Sequence, residues 1–63
     1  MSRGDKVRIA NTLINQLSGL PVGRECVVED NFDRLGLAHL LAVYDPVADK
    51  LYYLIDRNVN PAA

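Results

Sequence analysis

One histidine and one cysteine are the side chains of this chain best suited to acid–base or nucleophilic chemistry. A catalytic histidine needs a nucleophile or an orienting carboxylate beside it, and the residues that flank His39, Ala38 and Leu40, supply neither. A reactive thiolate needs positive charge nearby, and Cys26 has only Arg24 close to it, in an apolar segment. We therefore predict a surface or structural histidine, a packed and inert cysteine, and a protein that is not an enzyme.

Three carboxylates crowd one connection, at Glu29, Asp30 and Asp33. A calcium loop of the EF-hand type needs about twelve residues with a central glycine and a closing glutamate, and this segment lacks that pattern. A single cysteine excludes an intrachain disulfide and a cysteine zinc site. Gly19 and Gly23 are too few and too far apart for a phosphate-binding loop. The pattern indicates a solvated polar loop, with no metal site and no cofactor site.

Basic residues offer a different chemistry, since lysine and arginine bind the phosphates of nucleic acids. Asp5 interrupts the basic residues near the N-terminus, and the net charge is −1, with seven basic and eight acidic side chains. Charged residues of this kind also protect an edge strand against aggregation. Nucleic-acid binding is therefore the alternative function, for which the candidate residues are Arg3, Lys6, Arg8, Arg24 and Arg57.

Length and composition predict one small domain over residues 1–63, of which 49% are hydrophobic. A domain of this size is marginally stable alone, and such domains often gain stability by oligomerising. The opening MSRGDKVRI has no apolar run and so does not look like a secretory signal. No stretch approaches the roughly 20 apolar residues of a membrane span. We expect a cytoplasmic protein that does not enter a membrane.

The first half of the chain alternates between strand and turn signals. Residues 5–9 alternate polar and apolar, which predicts a strand with Val7 and Ile9 inward. Residues 24–29 predict a second strand, with Cys26 and Val28 on one face and Val27 on the other.

Residues 10–18 between these strands fit two structures. Asn11 could cap a short helix that ends at Gly19. The alternative is an irregular loop, with Leu13 and Leu17 packed onto the core.

The densest apolar stretch is residues 37–56, which we interpret as two strands joined by a turn. Pro46 keeps a helix from running through 44–47, and residues 51–55 are branched and aromatic, as in a strand. Residues 37–44 fit a strand but also have helical spacing. The alternative is an α+β fold with a helix at 33–44.

Both faces of this hairpin are apolar, and a chain of 63 residues has few elements left to cover the second face. A large exposed apolar patch marks an interface, and tyrosine is enriched at interfaces. We expect Tyr44, Tyr52 and Leu54 to lie on the outer face and to bind a partner. The alternative is that residues 10–18 cover that face.

Strands at regular spacing with glycine-rich turns indicate a small barrel. The opening GDKVRI at 4–9, the long loop after it, the strand VGRECVV at 22–28 and the ending NVNPA at 58–62 resemble SH3-like small barrels. The opening resembles that of the photosystem I reaction-centre subunit IV family. The layout is also similar to KOW-type barrels and to the plasmid-borne type II dihydrofolate reductases. Cys26 stands where the KOW pattern has glycine, and the Val-Gln-Ile-Tyr run of the reductases is absent.

Because these motifs match no one of these families, the resemblance implies a fold rather than an activity. The sequence therefore predicts a mostly β protein, an SH3-like small barrel with a short helix at 11–18 and a very short last strand through Val59. We expect a non-catalytic protein-interaction or regulatory module that acts through a protein partner or as a homo-oligomer. Salt dependence distinguishes this function from nucleic-acid binding, because phosphate binding weakens steeply with salt.

Overall fold

The structure, a computed structural model, describes residues 1–37 and 39–62. Its strands are β1 (Lys6–Ile9), β2 (Glu25–Asp30), β3 (Leu40–Asp45), β4 (Lys50–Ile55) and β5 (Val59–Pro61). The helical segments are the helix α1 (Leu13–Leu17) and two 3₁₀ turns, Asp33–Leu35 and Asp56–Asn58. The mostly β fold class predicted from the sequence is confirmed.

The strands form one curled antiparallel sheet in the order β4-β3-β2-β1-β5. Its concave side holds the core, to which every strand contributes at least one side chain. The core residues are Val7, Ile9, Cys26, Val28, Leu41, Val43, Leu54 and Val59, with Leu20 and Tyr52 packed against them.

The first two strands bury the side chains that their alternation predicts. Val7 and Ile9 of β1 and Cys26 and Val28 of β2 are all buried, while Val27 on the opposite face is only partly covered. Antiparallel pairing sets Val7 opposite Cys26. The expected strands and their inward faces are therefore confirmed.

The segment between β1 and β2 forms the short helix α1, but the predicted N-cap residue is wrong. Thr12, not Asn11, is the N-cap, since its hydroxyl accepts a hydrogen bond from the Asn15 N–H at 3.3 Å. The alternative packing is also wrong, because Leu13 is 70% and Leu17 79% exposed. A helix of five residues presents little surface to the sheet, and Asn15 is the side chain that it buries.

The hairpin β3–β4 forms as the turn at Pro46 predicts, with pairs running from Leu40 opposite Ile55 to Asp45 opposite Lys50. The alternative helix at 33–44 is wrong, since that range holds only the 3₁₀ turn Asp33–Leu35 before β3 begins. Ala38, which the expected hairpin included, lies outside the described residues.

The register of the hairpin corrects the predicted outer face. Tyr52 lies opposite Val43, and Leu54 lies opposite Leu41. Both side chains therefore lie on the face of the sheet that carries the core residues of β3. Leu54 is only 9% exposed. Tyr52 and Leu54 therefore belong to the inner face, and of the three residues predicted to lie outside only Tyr44 does so.

The chain ends as expected, with a tight turn at Asp56–Asn58 followed by the three-residue strand β5, which pairs with β1. Across residues 1–37 and 39–62, none of the helices has the length and apolar character needed to cross a membrane.

Candidate interaction surface on the hairpin

The convex side of the β3–β4 hairpin carries an uncovered apolar surface, which we call the outer face. Its side chains come from three cross-strand pairs, Leu40–Ile55, Ala42–Tyr53 and Tyr44–Leu51. Leu51 is 44%, Tyr53 63% and Ile55 43% exposed. Residues 10–18 do not cover these three side chains.

An aromatic pair extends the outer face beyond the hairpin. The ring of Phe32, which follows β2, lies 6.2 Å from the ring of Tyr53, a separation typical of aromatic pairs in proteins. Ala42, the smallest residue of the outer face, is covered and only 3% exposed. The guanidinium of Arg34 lies 5.8 Å from the centre of the Phe32 ring.

A groove opens at the base of the hairpin, with a volume of about 660 Å³. It is lined by Gly36, Leu37, His39, Leu40, Ile55, Asp56 and Arg57. Leu37 is 48% exposed. The groove therefore has an apolar floor that is continuous with the outer face, and charged side chains border it.

His39 meets a carboxylate that its sequence neighbours do not provide. Its Nδ1 lies 3.1 Å from Oδ2 of Asp56, 17 residues further along the chain. The hydrogen bond from His39 lowers the pKa of the Asp56 carboxyl against the opposing effect of burial. Among the described residues that line the groove, none is a serine, threonine or cysteine, the hydroxyl and thiol nucleophiles that a histidine–carboxylate pair activates.

A second polar cluster lies on the inner side, around Asp45, whose side chain is fully buried. Its carboxylate accepts hydrogen bonds from Arg24 at 2.9 and 3.0 Å and from the Tyr52 hydroxyl at 2.8 Å. The N–H groups of Val47 and Ala48 also donate to it, at 3.0 and 3.2 Å.

Burial of this carboxyl opposes its ionisation. The hydrogen bonds from Tyr52, Ala48, Arg24 and Val47 outweigh that effect and lower the pKa of Asp45. The cluster fastens the β3–β4 turn to the start of β2, which is a structural role.

Cys26 lies beside this cluster and is fully buried. Burial raises the pKa of its thiol, and the negative charge of Asp45 adds to that effect, against a smaller opposing effect of Arg24. Because a thiol in this state is a poor nucleophile, the geometry agrees with the inert cysteine expected from the sequence.

The basic residues of the nucleic-acid alternative do not share one surface. Lys6 and Arg8 are exposed on β1, whereas Arg24 turns inward to Asp45. Arg57 borders the groove, and Arg3 lies in a separate polar hollow with Glu29, Asp30, Asn31 and Arg34. In that hollow the Asp30 carboxylate is paired with Arg34 at 2.8 Å.

Sequence reasoning missed Leu51, Tyr53 and Ile55 as members of the outer face, and it missed Phe32 beside them. The alternation along residues 51–55 separated the two sets of side chains correctly. The missing signal was the register across the turn, which assigns one set to the core side. With Asp45 opposite Lys50, the odd-numbered residues of β4 share the face of Tyr44.

Comparison of the chain with protein-family models, with curated proteins and with solved structures found no match. In the part of the chain that the structure describes, no group of three or more histidine, cysteine or acidic side chains is arranged to hold a metal ion.

Proposed function

We propose that this protein is a non-catalytic interaction module, in which the outer face of the β3–β4 hairpin binds a protein partner or a second copy of the chain. The observation that carries the proposal is the exposure of Leu51, Tyr53 and Ile55 side by side on one strand. Contiguous apolar patches on a small domain mark interaction sites.

The composition of the patch also fits a protein partner. Tyr44 and Tyr53 combine apolar rings with hydroxyl groups, a combination enriched at interfaces. Charged residues border the patch, with Lys50 at one end of β4 and Arg57 near the other. The exposed leucines of α1 lie on one short helix without an aromatic residue, so we place the interface on the hairpin.

Two features support a non-catalytic role. The thiol of Cys26 is buried and its pKa is raised. The pair His39–Asp56 is exposed to solvent, and the described residues that line its groove include no hydroxyl or thiol nucleophile.

We further propose that the curled sheet is an SH3-like barrel acting in the cytoplasm. The strand order β4-β3-β2-β1-β5, the long connection between β1 and β2, and the 3₁₀ turn before β5 support this assignment. Such barrels serve many unrelated functions, so the proposed function depends on the surface of the hairpin.

The proposal is tested by site-specific photo-crosslinking in the cell that makes the protein. A photoreactive residue replaces Tyr53 on the outer face, and the matched control replaces Glu25, which is exposed on β2 opposite Arg8. We expect position 53 to give a discrete protein adduct. Position 25 should give the same adduct in a yield at least several-fold lower. Equal labelling at both positions, or no adduct at position 53, would refute the proposal.

A further inference from the structure

The sheet has two edge strands, and they are protected very differently. β5 is three residues long and contains Pro61, which lacks an N–H group and is typical of protected edges. β4 is six residues long, and its stretch from Leu51 to Ile55 contains no charge and no proline. A long, uncharged edge strand is a ready template for another strand.

The backbone groups that β4 presents at this edge can be identified from the ladder. The Asp56 N–H donates to the carbonyl of His39 at 2.8 Å, and these residues continue the register in which Leu40 lies opposite Ile55. In an antiparallel ladder, residues alternate between those that bond the neighbouring strand and those that point away. The N–H and C=O groups of Leu51, Tyr53 and Ile55 therefore face the open edge.

We propose that two copies of this chain associate by antiparallel pairing of their β4 strands, with Tyr53 opposite Tyr53 of the second copy. This inference rests on the proposed function, because it names a second copy as the partner of the hairpin. A twofold axis perpendicular to the sheet is the symmetry of such a pair, and it keeps the outer faces on one side. Leu51 then lies opposite Ile55 of the second copy.

This register satisfies more backbone groups than its neighbours. The three edge-facing residues of one strand all meet edge-facing residues of the other, and each such pair exchanges two bonds, giving about six hydrogen bonds. If one strand slides by two residues along the other, one edge-facing residue at the end of each strand loses its partner. The paired outer faces also place Tyr53 and Ile55 of both copies in one continuous apolar strip.

Charge selects the same register. Asp49 and Lys50 precede the uncharged stretch, and Asp56 and Arg57 follow it. Pairing Tyr53 with itself sets Lys50, the first residue of β4, level with Asp56 of the second copy, the residue that follows β4. The two shifted registers would set Lys50 against Leu54 or against Asn58 instead.

The cationic side chains at the two ends of β4 are available for these pairs, whereas Asp56 pairs with His39 and Asp49 accepts a hydrogen bond from Tyr44 within the same chain. Among residues 1–37 and 39–62, no internal ion pair holds Lys50 or Arg57. Opposite charges directly across a strand pair are favourable, and like charges are unfavourable.

A charge-exchange experiment on the full chain tests the proposal, using sedimentation equilibrium. Lys50→Glu alone sets Glu against Asp56 twice in each dimer, and Asp56→Lys alone sets Lys against Lys50 twice. Each variant should self-associate about tenfold more weakly than the wild type. A mixture of the two variants restores opposite charges at both ends, so it should form a heterodimer about as tightly as the wild-type dimer.

Amide hydrogen exchange on the wild type identifies the edge directly. We expect the amides of Leu51, Tyr53 and Ile55 to become protected as protein concentration rises, while those of Tyr52 and Leu54 are protected at every concentration. Circular dichroism on both charge variants checks that they remain folded.

The possible results separate this inference from the proposed function. The dimer proposal is overturned if the wild-type protein is monomeric at about 1 mM. A dimer too weak to form at that concentration has a binding free energy of less than about 4 kcal/mol. The proposed function then stands if position 53 crosslinks to a different protein. A dimer in which the amides of Leu51, Tyr53 and Ile55 exchange freely also overturns edge pairing, as does a mixture of variants that associates no better than either alone.

Discussion

We expect one substitution, at Asn15, to remove a large part of the stability of this domain. Its side chain is 1% exposed, and its amide N–H groups donate to the carbonyls of Ala10 at 2.9 Å and Asn58 at 2.8 Å. These bonds join α1 to the end of β1 and to the turn before β5. They connect segments 43 residues apart in the sequence.

The variant Asn15→Ala removes both donors, while each carbonyl keeps one backbone donor, the Thr12 N–H for Ala10 and the Ala10 N–H for Asn58. A typical intramolecular hydrogen bond contributes about 0.5–1.5 kcal/mol, so the loss of two is expected to cost about 1–3 kcal/mol. A single core in a domain of this size supplies rarely more than about 3–5 kcal/mol. We therefore expect the variant to lose a large part of its stability and to unfold at a clearly lower urea concentration than the wild type.

Urea unfolding followed by circular dichroism and tyrosine fluorescence measures the effect, since the chain has no tryptophan. The matched control is Gln16→Ala, the next residue of α1, whose side chain is exposed and donates a hydrogen bond to the side chain of Asn11. Surface changes of this kind shift stability by no more than about 0.5 kcal/mol. If Asn15→Ala is no more destabilising than Gln16→Ala, water replaces the two donors and the reasoning is refuted.

Two further predictions concern groups with shifted pKa values. The hydrogen bonds to Asp45 outweigh its burial, so its pKa is lowered in the folded state. The ionised carboxylate therefore stabilises the fold fully above pH ~4, the pKa of an unfolded aspartate. This stabilisation is lost as the pH falls through the lower pKa of the folded state. Urea midpoints between pH 7 and pH 2 should fall accordingly, and they should fall less steeply in Asp45→Asn. Cys26, with its pKa raised by burial, should react with a thiol reagent only as fast as the protein unfolds, and rapidly in denaturant; fast labelling of the native protein would contradict its burial.

The sequence by itself determined the strands β1, β2 and β4 and the turn before β4, whereas residues 10–18 and 37–44 each fitted two structures. Proline at position 46 required a turn, and the alternation in β1 and β2 assigned their buried faces, because the side chains of a strand alternate between the two sides of a sheet. Local steric rules and periodicity act over a few residues, so they can be inferred from the sequence alone.

Only the tertiary structure decided which side of β4 is buried. Tyr52 and Leu54 have the same apolar character as Leu51, Tyr53 and Ile55, so composition cannot separate them. The register across the turn aligns Leu54 with Leu41, and a shift of one residue would reverse every side chain of the strand.

Only the tertiary structure likewise decided which polar groups bond each other, because the partners lie far apart in the sequence. Asp56 reaches His39 across 17 residues, Arg24 reaches Asp45 across 21, and Asn15 reaches Asn58 across 43. No local pattern encodes such pairs, because the curvature and strand order of the sheet bring them together. The sequence thus determined the strands and an excess of apolar residues in the hairpin, and the three-dimensional register decided which of those residues remain exposed.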